Sequence, residues 1–246
     1  MRARLSAWRG AVAALLLASA GSLPTASAAA PVAGDPDDAM ARRVRACTVC
    51  HGEQGHAAAD GYHPRIAGKP AAYLYEQLLA FRDGRRRYAL MAHLLEPLSD
   101  DYLRALAGHF ARLELPHPRL QPAPADATLL ARGRLLAEQG DASRQLPACT
   151  ACHGGSLTGV LPAVPALLGL PRDYLNAQLG AWRTGQRRAR VPDCMATIAG
   201  RLAPEDIGAL SAWLSSQPLP QPAKPLQRLP QPPPMACGGE PAEVAR

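Results

Sequence analysis

Apolar side chains in this chain recur at helical spacing, and they do so twice. Tyr73, Leu74, Gln77, Leu78 and Phe81 fall at i, i+1, i+4, i+5 and i+8, which lines them along one face of a helix. Tyr174, Leu175, Gln178, Leu179 and Trp182 repeat the set 101 residues later. Pro70 and Pro171 stand where a first turn would begin, a place that does not need their missing N–H, and Gly84 and Gly185 suit the ends. A further helix carrying Leu103, Leu106, Ala107 and Phe110 opens after Ser99-Asp100-Asp101. Its counterpart carries Ile207, Leu210 and Leu214 and opens at Ala203-Pro204-Glu205-Asp206. Alternating Val-rich strand patterns are absent, so the spacing predicts an all-α fold.

The repeat is domain-sized. Gly68 to Leu78 matches Gly169 to Leu179, and Ala80-Phe81-Arg82 matches Ala181-Trp182-Arg183. After three extra residues in the second half, Met91 aligns with Met195, Leu98 with Leu202 and Phe110 with Leu214, at an offset of 104. The expected organisation is a first domain over 29–118, a linker over 119–126, a second domain over 127–217 and a Pro-rich tail over 218–246. Crowded prolines predict a tail that is extended and unpacked. Residues 1–28 read as a secretory signal peptide: Arg2, Arg4 and Arg9, then a short apolar run from Ala11 to Ala20, then the small-residue site Ala26-Ser27-Ala28. The run is too short to span a bilayer. Its removal leaves no transmembrane segment, so the mature protein is expected in the periplasm of a Gram-negative bacterium, free or peripheral to the membrane.

Charge adds little. Removing the leader's three arginines takes the formal net charge from +7 to +4, and the arginines that remain are scattered without aromatic interleaving, so nucleic acid is not an expected partner. Aromatic residues are few: two Phe, three Trp and six Tyr. Two independent cores built on so few rings would be helped by a large flat apolar group in each.

The chemistry lies in Cys47-Thr48-Val49-Cys50-His51 and its second copy, Cys149-Thr150-Ala151-Cys152-His153. C-x-x-C-H is the attachment signature of a c-type haem. On a helix, positions i, i+3 and i+4 share a face, so two thiols and one imidazole converge on one object. The thiols bond to the haem vinyl groups and the histidine ligates iron, which predicts two covalently bound haem c groups. Met91 and Met195, at matching repeat positions, are the candidate second axial ligands. The metal set is therefore His51, Met91, His153 and Met195. His93 rivals Met91, but its repeat partner is Thr197; His56, His63, His109 and His117 also lack histidine partners. Pro64 and Pro165 follow the two histidines by about a dozen residues. A carbonyl there could accept the imidazole Nδ1–H, or each could be an ordinary loop proline. Arg86, Arg87, Arg187 and Arg188 could pair with haem propionates or form a solvated basic loop. Cys194 and Cys237 remain; an oxidising compartment and an even remainder favour a disulfide.

The ordered stretches C-x-x-C-H, Pro64-Arg65-Ile66-Ala67-Gly68 (Pro165-Ala166-Leu167-Leu168-Gly169), Tyr-Leu-x-x-Gln-Leu, Phe/Trp-Arg-x-Gly, the methionine and the last helix cover Arg43 to Gln217. In that order, in both halves, the sequence resembles the cytochrome c4 family. The resemblance implies two tandem class I cytochrome c domains, each wrapped around one covalent haem. It implies that Cys47, Cys50, Cys149 and Cys152 attach the haems, with His51 and His153 as proximal and Met91 and Met195 as distal ligands. It implies a carrier of single electrons from a quinol-oxidising complex or dehydrogenase to a terminal oxidase, with no catalytic residues of its own. The Cys194/Cys237 pair and the Pro-rich tail depart from the basic pattern and leave room for a cytochrome subunit of a periplasmic dehydrogenase. A dihaem peroxidase would need an open iron, against which two methionines in register argue. A redox or zinc C-x-x-C is disfavoured by the following histidine in both copies and by the lack of a βαβ pattern. A pyridine haemochrome assay on protein matured in a competent periplasm is expected to count two haems per chain; a lower count would contradict the reading.

Overall fold

Side-chain caps set some of the helix starts in this chain. In a computed structural model, which describes residues 36–58, 60–117 and 124–238, the helices are α1 (Pro36–His51), α2 (Ala71–Arg82), α3 (Ala89–Leu95), α4 (Asp100–Ala111), α5 (Ala127–Glu138), α6 (Thr150–His153), α7 (Arg172–Arg183), α8 (Cys194–Arg201) and α9 (Pro204–Ser216). The leader expected over 1–28, and most of the linker, lie outside the described residues. Among the described residues there is no β-strand, only isolated bridges. Ser99 caps α4 by accepting the Tyr102 N–H at 3.3 Å, and Asp126 caps α5 through Thr128 N at 2.7 Å. Pro70 and Pro171 sit at the N-caps of α2 and α7, one residue earlier than the pattern suggested.

Two apolar cores form, one per half. The first gathers Val44, Leu74, Tyr75, Leu79, Leu95, Leu103, Leu106 and Phe110. The second gathers Leu136, Leu146, Leu157, Leu168, Leu175, Ile207, Leu210, Trp213 and Leu214. Helix α2 differs from its expected single face. Tyr75, Glu76, Leu79 and Ala80 are buried as well as Leu74, whereas Tyr73, Gln77, Leu78 and Phe81 are partly buried. The helix packs on α3 and α4 while Tyr73, Gln77 and Glu76 bond to residues of the second half, so it has no wholly solvent-facing side. Arg82 and Arg183 repeat one clamp: each donates through Nη1 to a backbone carbonyl just ahead of the last helix of its half, Leu98 before α4 and Leu202 before α9.

The tail corrects the expectation of an unpacked segment. Leu226 donates to Gly159 O at 2.9 Å and accepts from Leu161 N at 2.8 Å, and Gly238 donates to Pro192 O at 2.6 Å. Prolines remove donors, but the Leu226 and Gly238 N–H groups find acceptors on the second half.

At the start of α9, Asp206 is 4% exposed. Its carboxylate accepts Arg132 Nε at 3.0 Å, Arg144 Nη1 at 2.5 Å and Ala203 N at 3.1 Å. Burial alone would raise its pKa; the bonds from Arg144, Ala203 and Arg132 outweigh that and hold it below the usual carboxylate value. A folded-state pKa below the unfolded one contributes stability above the unfolded carboxylate range and loses it as pH falls through the folded value. Asp206→Asn is therefore expected to destabilise the protein by about 2 kcal/mol near pH 7. Thermal melts should show a Tm lower by roughly 4–8 °C, with the difference from wild type shrinking as pH falls below the unfolded carboxylate range.

Candidate cofactor sites and the joint between them

Each pentad ends a helix and turns at once into a loop that comes back to its histidine. The first closes α1; the second is the one-turn α6, preceded by Cys149 at its N-cap. His51 Nδ1 lies 2.8 Å from Pro64 O, and His153 Nδ1 lies 2.8 Å from Pro165 O. A carbonyl only accepts, so in both rings Nδ1 carries the hydrogen and Nε2 keeps a free lone pair. Burial pushes both imidazoles below their ordinary pKa, while the carbonyl bond works the other way, so the rings are neutral at pH 7. The return is made by Gly52 and Gly154, at φ +76° and +84°; a Cβ at Gly52 would stand 2.3 Å from Ala57 O.

The four pentad cysteines are not in disulfides. Burial raises the Cys47 and Cys149 thiols to about 11, and pushes Cys152 up as well. Thiols so raised, as at Cys47, Cys149 and Cys152, are poor nucleophiles for disulfide exchange, which argues against a redox C-x-x-C. Among the described residues no group of three or more His, Cys, Asp or Glu side chains could hold a metal ion on its own.

In the second half Cys149, Cys152, His153 and Met195 line one cavity of about 880 Å³, with walls that include Leu136, Leu175 and Ile198. The same cavity is lined by Arg187 and by Trp182, whose Nε1 is buried without an acceptor. A large flat apolar group bearing carboxylates fits this lining: apolar walls, a neutral imidazole, two thiols, a thioether, a buried cation and an orphaned donor. In the first half Cys47 and Met91 pack, partly buried, on the same core, and His93 is exposed on the helix that carries Met91. A larger cleft of about 1520 Å³ runs along α4 and the tail, but no pentad residue lines it.

Between the halves lies a joint with two-fold character. Arg86 donates to Gln77 Oε1 (2.9 Å) and Gln178 Oε1 (2.6 Å); Arg187 donates to Gln178 Oε1 (2.9 Å) and Gln77 Oε1 (2.8 Å). Tyr174 and Tyr73 hydroxyls accept from Arg86 and Arg187 at 3.3 and 3.2 Å. The guanidinium of Arg86 sits over Phe81 and that of Arg187 over Trp182, at 4.5 and 3.8 Å from the ring centroids. Two antiparallel main-chain bonds, Arg87 N to Gln186 O and Arg188 N to Arg85 O, both 2.8 Å, join the loops. Arg187 is 5% exposed, and no carboxylate neutralises it. Burial and the neighbouring Arg86 lower its pKa. At Tyr73, burial alone would raise the hydroxyl; Arg187, Arg86 and Lys69 outweigh it and hold the hydroxyl at about 8. The joint is short of negative charge.

Arg86 and Arg187 thus stand in the joint. Arg87 and Arg188 contribute there through their backbone N–H groups. Gln77, Gln178, Tyr73, Tyr174 and Trp182 were expected only as parts of a helical face, not as site residues. Their signal was present: a glutamine recurring inside an otherwise apolar helical face, in register in both halves.

These features define a class: an all-α protein of two tandem class I cytochrome c domains, each wrapped around one covalent haem. No family model matches the chain. It is 37% identical over 205 residues to the thiosulfate dehydrogenase electron acceptor of Thiomonas intermedia, covering 83% of this chain and 91% of that protein. It is 34% identical over 181 residues to cytochrome c4 of Pseudomonas aeruginosa, covering 72% of this chain and 87% of that one. The crystal structure of reduced cytochrome c4 from Pseudomonas stutzeri superposes with a TM-score of 0.60 at 31% identity, over 74% of this chain and 98% of that one. The chain belongs to the cytochrome c4 family, electron-transfer proteins with two covalently bound haem c groups and no enzymatic activity of their own.

Proposed function

We propose that Cys47 and Cys50 attach one haem and Cys149 and Cys152 the other. His51 and Met91 ligate the first iron; His153 and Met195 ligate the second. The observation that carries this is the gathering of Cys149, Cys152, His153 and Met195 around one cavity, with the repeat carrying the same roles to the first half. When bound, each haem supplies an iron that takes up and gives back one electron. The chain's own residues do the rest. Pro64 and Pro165 carbonyls fix the imidazole rings and raise their basicity. Apolar walls keep water away, and the Arg86/Arg187 joint offers its uncompensated charge to carboxylates from either side. The residue ranges 29–118 and 127–217 are the two domains in this reading, with 119–126 between them.

The protein acts in the periplasm, carrying single electrons from a donor to a terminal acceptor such as an oxidase. No helix among the described residues is long and apolar enough to cross a membrane. For the donor we favour a periplasmic dehydrogenase oxidising thiosulfate, because the relative at 37% identity is a thiosulfate dehydrogenase electron acceptor. The alternative donor is a quinol-oxidising complex, as for a general respiratory carrier.

Two measurements test the proposal. Met91→Ala and Met195→Ala should each abolish one thioether-to-iron band and lower one of the two midpoint potentials, leaving the other in place. An intact pair of bands in either variant would remove that methionine from the ligand set. Stopped-flow mixing of the oxidised holoprotein with a thiosulfate dehydrogenase and thiosulfate should reduce both haems. Reduction by a quinol-oxidising complex alone would move the donor to the alternative.

A further inference from the structure

The second half carries a device that the first lacks. Cys194 and Cys237 are joined by a disulfide with S–S 2.11 Å, spanning 43 residues. Cys194 is the first residue of α8 and the neighbour of Met195. In the first half the matching position is Leu90, 66% exposed, and no sulfur stands there.

Helix α8 has eight residues, and Met195 lies in its first turn, where backbone N–H groups have no intrahelical acceptor. The segment leading into it is exposed at Val191, 88%. Such a turn depends on outside fastenings. Asp193 caps it, accepting Ala196 N at 2.9 Å and Ala189 N at 2.6 Å. Arg190 Nε bonds Glu76 across the joint at 2.9 Å. The tail supplies the rest. Gly238 donates to Pro192 O at 2.6 Å and presses so close that a Cβ there would stand 2.3 Å from Val191 O. Upstream, the Leu226 backbone is paired with Gly159 and Leu161. Between these two anchors Arg228, Leu229, Pro230, Pro233 and Met235 form one wall of the cavity that holds Cys149, Cys152, His153 and Met195. Four prolines in this stretch fix φ, so the wall has little freedom to lose when it is pinned.

We infer that residues 228–238, pinned by Cys194–Cys237, are a strap that positions Met195 and shuts the second haem site against solvent and foreign ligands, making the two centres unequal. The inference rests on the reading of Met195 as an iron ligand. Cys237 touches no iron in this reading; it is a positioning residue, acting through Cys194.

The test uses full-length diheme holoprotein with Cys237→Ser. A second variant, ended after Gln227, keeps the Leu226 pairing and removes the strap. Each is titrated with imidazole in the ferric state and taken through a redox titration. Met195→Ala marks which spectral and redox signals belong to the second site. In both strap variants that site should bind imidazole at about tenfold lower concentration than wild type, a loss of about 1.4 kcal/mol in ligand hold. Its midpoint potential should fall, because a wetter, less firmly ligated site favours the ferric charge. The first site should be unmoved. Unchanged imidazole affinity and potentials in both variants would overturn the strap, as would equal changes at both sites, which would report general loosening. If Met195→Ala itself leaves every thioether band in place, the ligand reading falls, and that failure is distinguishable from failure of the strap.

Discussion

The hydrogen bond from a histidine ring to a loop carbonyl, 2.8 Å in each half, is the constraint on which the two sites depend. An imidazole on a helix end can rotate about two torsions. Tying Nδ1 to Pro64 O or Pro165 O removes that freedom, fixes the tautomer and aims the remaining lone pair. The bond in turn dictates the loop. The chain must leave the helix, reverse within a few residues and return in register, which is why Gly52 and Gly154 follow the histidines directly. Helices α2 and α4, with α7 and α9 in the second half, then form the apolar frame on which the loops close.

The joint between halves applies the opposite logic. A guanidinium buried among neutral acceptors is ordinarily costly, and here two face the same pair of glutamines. Stacking on Phe81 and Trp182 and sharing of Gln77 and Gln178 hold the pair in place without cancelling its charge. A polar centre of this kind is poor at gluing domains together by itself and well suited to receiving anions from both sides.

The sequence made the helices, the repeat and the pentads legible because each rests on spacing within a short window. The last helices appear with the buried residues their periodicity named, Leu103, Leu106, Ala107 and Phe110 in one half and Ile207, Leu210 and Leu214 in the other. Features that depend on distant partners were harder to read. Glu76 looks like a surface residue on α2 until Arg190 arrives from 114 positions away. The tail's prolines argue against a helix, and none forms over 218–238, yet that says nothing about packing, and Leu226 and Gly238 dock through main-chain groups that carry no side-chain signature. Trp182 differs from Phe81 by a fused second ring that carries an N–H, and burial of that N–H without an acceptor gives the difference a chemical meaning.

Because each half offers the other the same tyrosine, glutamine and arginine, the joint is self-complementary, the arrangement by which identical subunits close into pairs. Covalent tethering turns such an encounter from one governed by dilution into one that occurs within a single molecule. One polypeptide thus keeps the symmetry of a homodimer while freeing its copies to diverge. Their divergence is visible where the symmetry ends: a tryptophan replaces a phenylalanine, and an appended strand of prolines belongs to one copy alone.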